Sequence, residues 1–336
     1  MFLRTRWLAP MLALALAACG EKPAEPQSLV VYTSRGDDLI RPVFDLYSAE
    51  TGVKIEYTSD SDAALITRLE AEGASSPADL LITVDAGNLW LATEKGLLQP
   101  VTSGALEQRV PDSLQDPDNH WFGLTIRART LVYSTERVDP ATLSSYEALA
   151  DPAWKGRLCL RTSKKVYNQS LVATMIERLG AEKTEEVVSG WVSNLATDVF
   201  ANDTALMEAI VAGQCDVGIV NTYYFGRLKA QQPEAPIALF WANQDSSGVH
   251  VNISGVGMTK HAKNPEAAQA FMEWLVTEPA QRFLADGNKE FPVNPTIAPS
   301  AEVAAWGEFR ADDLNVAVAG KRQADAVMLM DRAGYR

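Results

Sequence analysis

The segment VNTYYFGR, residues 220–227, sets Tyr223 and Tyr224 side by side directly after the apolar run 217–220. On a strand, neighbouring side chains point to opposite faces, so twin aromatics at a strand end leave at least one phenol outside the core. A phenol ionises near pH 10 in water, but a bound trivalent ion stabilises the phenolate and pulls that value far down. Phenolate oxygen is a hard anionic donor, suited to small, highly charged ions and above all to ferric iron. Two phenols at a strand end, opening on a cleft, are therefore candidate metal ligands. The competing reading makes them aromatic turn residues.

Other chemistry finds little support in the chain. The 3 histidines, His120, His250 and His261, show no zinc-site spacing and no obvious serine partner. No G-x-S-x-G elbow, P-loop or dinucleotide-binding fingerprint occurs. A formal charge of -13 argues against nucleic acid, which demands a basic footprint. A ligand trap fits these residues better than an enzyme. One rival of another class is an exported hydrolase with Asp37 or Asp60 as base, for which no nucleophile or activated-water site is evident.

The elements that must position the phenols alternate in type. Residues 29–33, 53–58 and 79–84 read as strands, and 37–50 and 63–72 as helices. This alternation predicts an α/β fold with mixed, mostly parallel sheets and helices on both faces. A second alternating set runs from residue 156 to 241, and a glycine-containing strand at 252–258 returns the chain to the first set. Helices at 265–276 and 279–286 open with proline at or near the first helical position, where its missing N–H costs nothing. A chain of 336 residues exceeds the size of a single core, so two lobes are expected.

The first 18 residues read as an export signal: Arg4 and Arg6, an apolar stretch, then Leu16-Ala17-Ala18-Cys19, which looks like a lipobox. Cys19 is the expected lipidation site, and residues 19–27 the tether that follows it. In an exported, oxidising setting the remaining Cys159 and Cys215 are expected to pair, with two separate buried thiols as the alternative.

Five segments, KGRLCLRTS (155–163), VYNQSLV (166–172), GWVSNLA (190–196), CDVGIVNTYY (215–224) and NISG (252–255), resemble the bacterial ferric-iron-binding proteins of ABC importers, the "bacterial transferrins". The resemblance runs from about residue 29 to about residue 295. It implies a two-lobed periplasmic-binding-protein fold of type II with the ligand cleft between lobes. Lobe 1 is then 28–125 with 253–295, and lobe 2 is 126–252 with 296–336. It also implies an iron-ligand role for Tyr223 and Tyr224, and for Tyr167 of the YNQS segment. Delivery to an inner-membrane permease follows from the same likeness, by a monomeric, periplasmic protein whose only membrane contact is its lipid.

The chain departs from the family pattern in its first lobe. Gly36 stands where many members carry a histidine, and Val84 where some carry a glutamate. Asp37 is a candidate substitute, with a helix N-terminal carboxylate as its competing reading. Three phenolates neutralise Fe(III) but fill half an octahedron, so water or a small anion must complete it. Members without the histidine can use carbonate held by arginine. Arg127 is the expected anion clamp, with Arg129 and Arg35 as further candidates and a structural pairing across the hinge as its alternative role. A rival within the same fold is a binding protein for an organic or phosphorus-containing anion, with the three tyrosines as hydrogen donors.

Overall fold

The computed structural model describes residues 28–336. The export signal 1–18, Cys19 and the tether 19–27 lie outside the described residues. The chain opens with β1 (Ser28–Thr33), α1 (Asp37–Thr51), β2 (Lys54–Ser59), α2 (Asp62–Glu72), β3 (Leu80–Thr83), α3 (Ala86–Glu94), β4 (Leu98–Gln99) and α4 (Gly104–Arg109). β1 pairs in parallel with both β2 and β3. Leu29, Val31, Leu80, Leu81 and Ile82 are fully buried, as a strand set covered by helices requires. Phe44 and Tyr47 of α1 pack on Phe271, with the Tyr47 and Phe271 ring centroids 4.6 Å apart.

β5 (Phe122–Ser134) is one long strand serving both halves. Its residues from Phe122 to Ala128 pair with β9 (Val251–Thr259), and those from Arg129 onward pair with β7 (Val217–Asn221) and β8 (Ile237–Phe240). The second half contains β6 (Leu158–Cys159), α5 (Val166–Leu179), α6 (Ala181–Ser193), α7 (Asp203–Val211), β7, α8 (Thr222–Gln231) and β8. β9 returns to pair with β3 and β4, as expected for a strand that carries the chain back. α9 (Pro265–Leu275), α10 (Glu278–Asp286) and β10 (Phe291–Pro292) follow, then α11 (Ala301–Ala304), α12 (Val318–Lys321) and α13 (Gln323–Arg332).

The strand order is β2-β1-β3-β9-β5-β7-β6. The α/β architecture matches the expectation, but among the strands named here parallel pairing joins only β2-β1-β3 and β6-β7. The cause is the crossover: β5 leaves the first half and β9 comes back, so they lie antiparallel to each other and to β3 and β7. The C-terminal helices close the molecule, with α12 packed against α3 and α5 and α13 against α5 and α6.

Cys159 of β6 and Cys215, just before β7, are joined with their Cα atoms 5.9 Å apart. The same strands approach so closely that a Cβ on Gly218 would lie 2.9 Å from the Cys159 carbonyl oxygen and 2.5 Å from Leu206 of α7. β7, the strand that delivers the twin tyrosines, is thus clamped covalently and sterically.

Candidate metal centre

The chain turns helical sooner than expected. β7 ends at Asn221 and α8 begins at Thr222, so Tyr223 and Tyr224 occupy a helical first turn rather than a strand end. Neighbours there diverge by about 100° rather than 180°, which lets both rings face one side. Their centroids are 4.3 Å apart. Tyr167 sits in the first turn of α5, and Tyr223 Oη donates to Tyr167 Oη at 3.2 Å. Tyr167 and Tyr223 are 8 % and 5 % exposed, and Tyr224 is half-buried. All three phenols therefore stand at helix N-termini, whose partial positive charge favours anions.

Four cations ring the phenols. Lys165 Nζ lies 4.7 Å from the Tyr167 ring centroid, and the Arg161 guanidinium lies 5.4 Å from Tyr167 and 5.8 Å from Tyr224. Arg127 lies 5.9 Å from Tyr167, and Arg227 lies 5.3 Å from Tyr223. Burial nevertheless raises the Tyr167 pKa above that of a free phenol, with Arg127 pulling the other way. Burial raises Tyr223 further, helped by the charges of Tyr167 and Tyr224. At neutral pH both are neutral phenols, and only a strong Lewis acid would ionise them. Among the described residues no group of three His, Cys, Asp or Glu that could hold a metal occurs.

A buried polar network fixes the two helix starts. Arg129 donates to Asp203 Oδ2 at 3.1 Å, to Asn221 Oδ1 at 3.1 Å and, through Nη2, to Asn168 Oδ1 at 2.6 Å. Asn168 follows Tyr167, and Asn221 precedes the turn that carries Tyr223 and Tyr224. Asp203 also accepts from the Asn221 N–H at 2.9 Å and from Arg161 at 3.3 Å. Arg129 is therefore a scaffold residue rather than an anion donor, and one carboxylate orients the tyrosine-bearing helix starts and the Arg161 cation together.

The other expected site residues are dispersed. Arg127 is 3 % exposed and bonded to the Ser254 hydroxyl at 3.2 Å, to Glu290 at 3.3 Å and to the Val84 and Ile253 carbonyls, which leaves only its Nε without a partner among the described residues. Burial opposes its charge, but Glu290, Tyr167 and Tyr223 hold its pKa above the ordinary arginine value. Arg35 lies inside the first half, on Glu290 at 3.0 Å, Ser254 at 2.7 Å and the Leu284 carbonyl at 2.9 Å. Asp37 is a surface group bonded to Arg41 and Tyr57.

Two carboxylates of the first half were missed. Asp62, at the start of α2, accepts from the Ser34 hydroxyl, and burial raises its pKa against the pull of Ser34, Val84, Arg127 and Lys165. Asp85 caps α3 through the Gly87 N–H at 2.8 Å and accepts from Asn252 at 2.7 Å. Burial pushes Asp85 up to about 6. In the sequence each reads as an ordinary helix-opening acid, and no local signal sets either apart.

Two α/β halves are joined by β5 and β9, with the polar cluster beside the crossover. The chain belongs to the bacterial extracellular solute-binding protein family, whose pattern matches residues 43–311. It is 42 % identical to iron uptake protein A1 of Synechocystis over 96 % of this chain and 93 % of that protein. It is 27 % identical to the Fe(3+)-binding periplasmic protein of Serratia marcescens over 99 % of both chains. Its fold matches the Trichodesmium IdiA/FutA structure in complex with iron and citrate, with a TM-score of 0.88 at 41 % identity over 92 % of this chain and 100 % of that one. These relatives are named for iron uptake or Fe(3+) binding, or hold iron and citrate in their structure.

Proposed function

We propose that the protein captures ferric iron in the cleft between its lobes, through the phenolates of Tyr167, Tyr223 and Tyr224 with a small synergistic anion such as carbonate, and delivers it to an ABC importer. The observation that carries this reading is the meeting of the three phenols at two helix N-termini, with Tyr167 and Tyr223 in hydrogen-bond contact. The iron-binding names of the relatives support the choice of cargo. Arg127 is the proposed anion contact, and its unpartnered Nε supplies a donor for that role. Lobe 1, 28–125 with 253–295, closes on lobe 2, 126–252 with 296–336, by a hinge motion at the crossover strands. The protein works as a monomer in the periplasm, held by lipid on Cys19 after removal of residues 1–18, and presents the closed form to the permease. Reduction to Fe(II), which holds phenolates weakly, or acid releases the iron.

The test is a titration of the purified protein with ferric citrate, watched in the visible range. A phenolate-to-iron charge-transfer band that saturates at one iron per chain is expected. A colourless protein, with iron left in the filtrate, would refute the reading in favour of an organic anion as cargo.

A further inference from the structure

We propose that Asp62 is the first lobe's own ligand to the iron, a fourth oxygen donor beside the three phenolates; this inference rests on the ferric reading above. The loops that leave the carboxyl ends of β1, β2 and β3 meet at this side chain. Ser34, after β1, donates its hydroxyl to Asp62 Oδ1, and that same hydroxyl accepts from the N–H of Val84, after β3, at 3.2 Å. In an open α/β sheet the carboxyl ends of the strands are where ligands bind. The contacts continue to the phenols: the Val84 carbonyl accepts from Arg127, and Arg127 and Lys165 both stand over the Tyr167 ring. Asp62 is thus a first-lobe carboxylate beside the cationic rim of the phenol cluster, where Arg127 and Lys165 act on it. Glu290, in contrast, is committed to Arg35 and Arg127, Asp85 to Asn252 and the Gly87 N–H, and Asp37 to Arg41 and Tyr57 at the surface.

Its chemical state suits the task. Asp62 is partly buried and forms no ion pair among the described residues, and besides the Ser34 hydroxyl the Val84 N–H favours its charged form. A carboxylate removed from water without a counter-ion is destabilised, and a bound cation relieves that penalty. Burial accordingly holds its pKa above the usual carboxylate range although Arg127 and Lys165 pull it down. Three phenolates and one carboxylate fill four positions of an octahedron and leave the two that a chelating carbonate spans. The excess negative charge falls among Arg127, Arg161, Lys165 and Arg227. The histidine missing at Gly36 is thereby replaced from a different loop by a harder donor.

The experiment compares the wild type, Asp62→Asn and Asp62→Glu under ferric citrate titration, reading band position, affinity by chelator competition and the melting point of the iron-free protein. The amide of Asp62→Asn retains an acceptor for Ser34 but not the anionic donor. Its band should still form, because the phenolates remain, and should move to longer wavelength because the iron loses an electron donor. Affinity should fall by at least about tenfold, the low end for altered metal surroundings, with the iron-free melting point unchanged or raised. Asp62→Glu should bring the band back toward the wild-type position. If Asp62→Asn keeps both wild-type affinity and wild-type band position, ligation by Asp62 is wrong while the ferric reading stands. An unmoved band with weakened binding, or a lowered iron-free melting point with no band shift, assigns Asp62 to cleft charge or folding and also overturns ligation. No band in the wild type removes the ferric reading and this inference with it.

Discussion

Tyr223 Oη donates to Tyr167 Oη at 3.2 Å, so the first turns of α8 and α5 meet through two phenols that both hold their protons at neutral pH. On the proposed ligation, iron binding must displace those protons, because phenolate and not phenol would be the ligand. Affinity should therefore fall as pH falls. An unbuffered titration should release roughly two protons from this pair, beyond those from ferric hydrolysis. Tyr223→Phe and Tyr224→Phe should each weaken iron by orders of magnitude with the fold intact, since each deletes an anionic donor and keeps the ring. Tyr167→Phe should do less damage, as a water can take the vacated position. Wild-type affinity in the Tyr223→Phe and Tyr224→Phe proteins would exclude phenolate ligation.

The ion pair of Arg129 and Asp203 predicts a loss of binding at a distance. Both groups are buried, and Asp203 reaches Arg161 and the Asn221 N–H as well. Asp203→Asn leaves Arg129 without its counter-charge, and breaking a buried pair costs about 3–5 kcal/mol. The urea midpoint should drop accordingly. Iron affinity should fall too, because Arg161 and the start of α8 lose a shared anchor. Equal urea midpoints for variant and wild type would show that the network does not hold the ligand helices.

Much of the scaffold was legible because its signals are local. Strand and helix limits in the first half fall within one or two residues of those read from periodicity, and the proline-opened helices begin where expected. The placement of Tyr223 and Tyr224 was misjudged by one element. The apolar run 217–220 is a true strand, but Phe225 and Leu228 at a spacing of three belong to a helix that starts at Thr222. What Arg127, Arg35 and Arg129 bind could not be read, since their partners Glu290, Ser254 and Asp203 are 74 or more residues away in sequence. Asp62 was hidden for another reason. An acid after a serine cap is what any helix N-terminus favours, so only the tertiary meeting of three loops sets it apart.

His250 predicts how the protein responds to acid. It is buried between the Ser170 and Thr174 hydroxyls at 3.0 and 3.2 Å, and burial, reinforced by the charge of Arg129, depresses its pKa to about 3 from an ordinary 6.5. The unfolded chain takes a proton near 6.5 and the folded chain does not. Its contribution to stability is thus fully present above about 6.5 and is lost as pH falls toward 3. Asp85 works in the opposite sense: raised to about 6, it contributes stability at low pH that is lost as pH rises through about 6. Melting curves of the wild type, His250→Asn and Asp85→Asn between pH 4 and 7 separate the two. His250→Asn should flatten the acid loss, and Asp85→Asn should steepen it. An unchanged acid slope in His250→Asn would mean that the imidazole is protonated in the fold.

The anion is the least conventional part of the proposed site, because Arg127 is already committed. Its terminal nitrogens hold Glu290, Ser254 and the Val84 and Ile253 carbonyls, so only Nε is free to meet an anion unless the Val84 contact opens. If carbonate completes the shell against Arg127, iron affinity should fall in bicarbonate-depleted buffer and return when bicarbonate is restored. Arg127→Ala should lose that dependence along with much of the affinity. Its fold should survive, because Arg35 still neutralises Glu290 at 3.0 Å. Arg127→Lys should recover only part, since an ammonium lacks the directed Nε–H and the planar fork. Acid should release iron readily, as carbonate protonates before a metal-bound phenolate does. Binding that is indifferent to bicarbonate, with Arg127→Ala unaffected, would leave the remaining positions to water. In that case the guanidinium serves only the crossover, tying the end of β3 to β9, and Lys165 and Arg161 supply the positive charge around the phenolates.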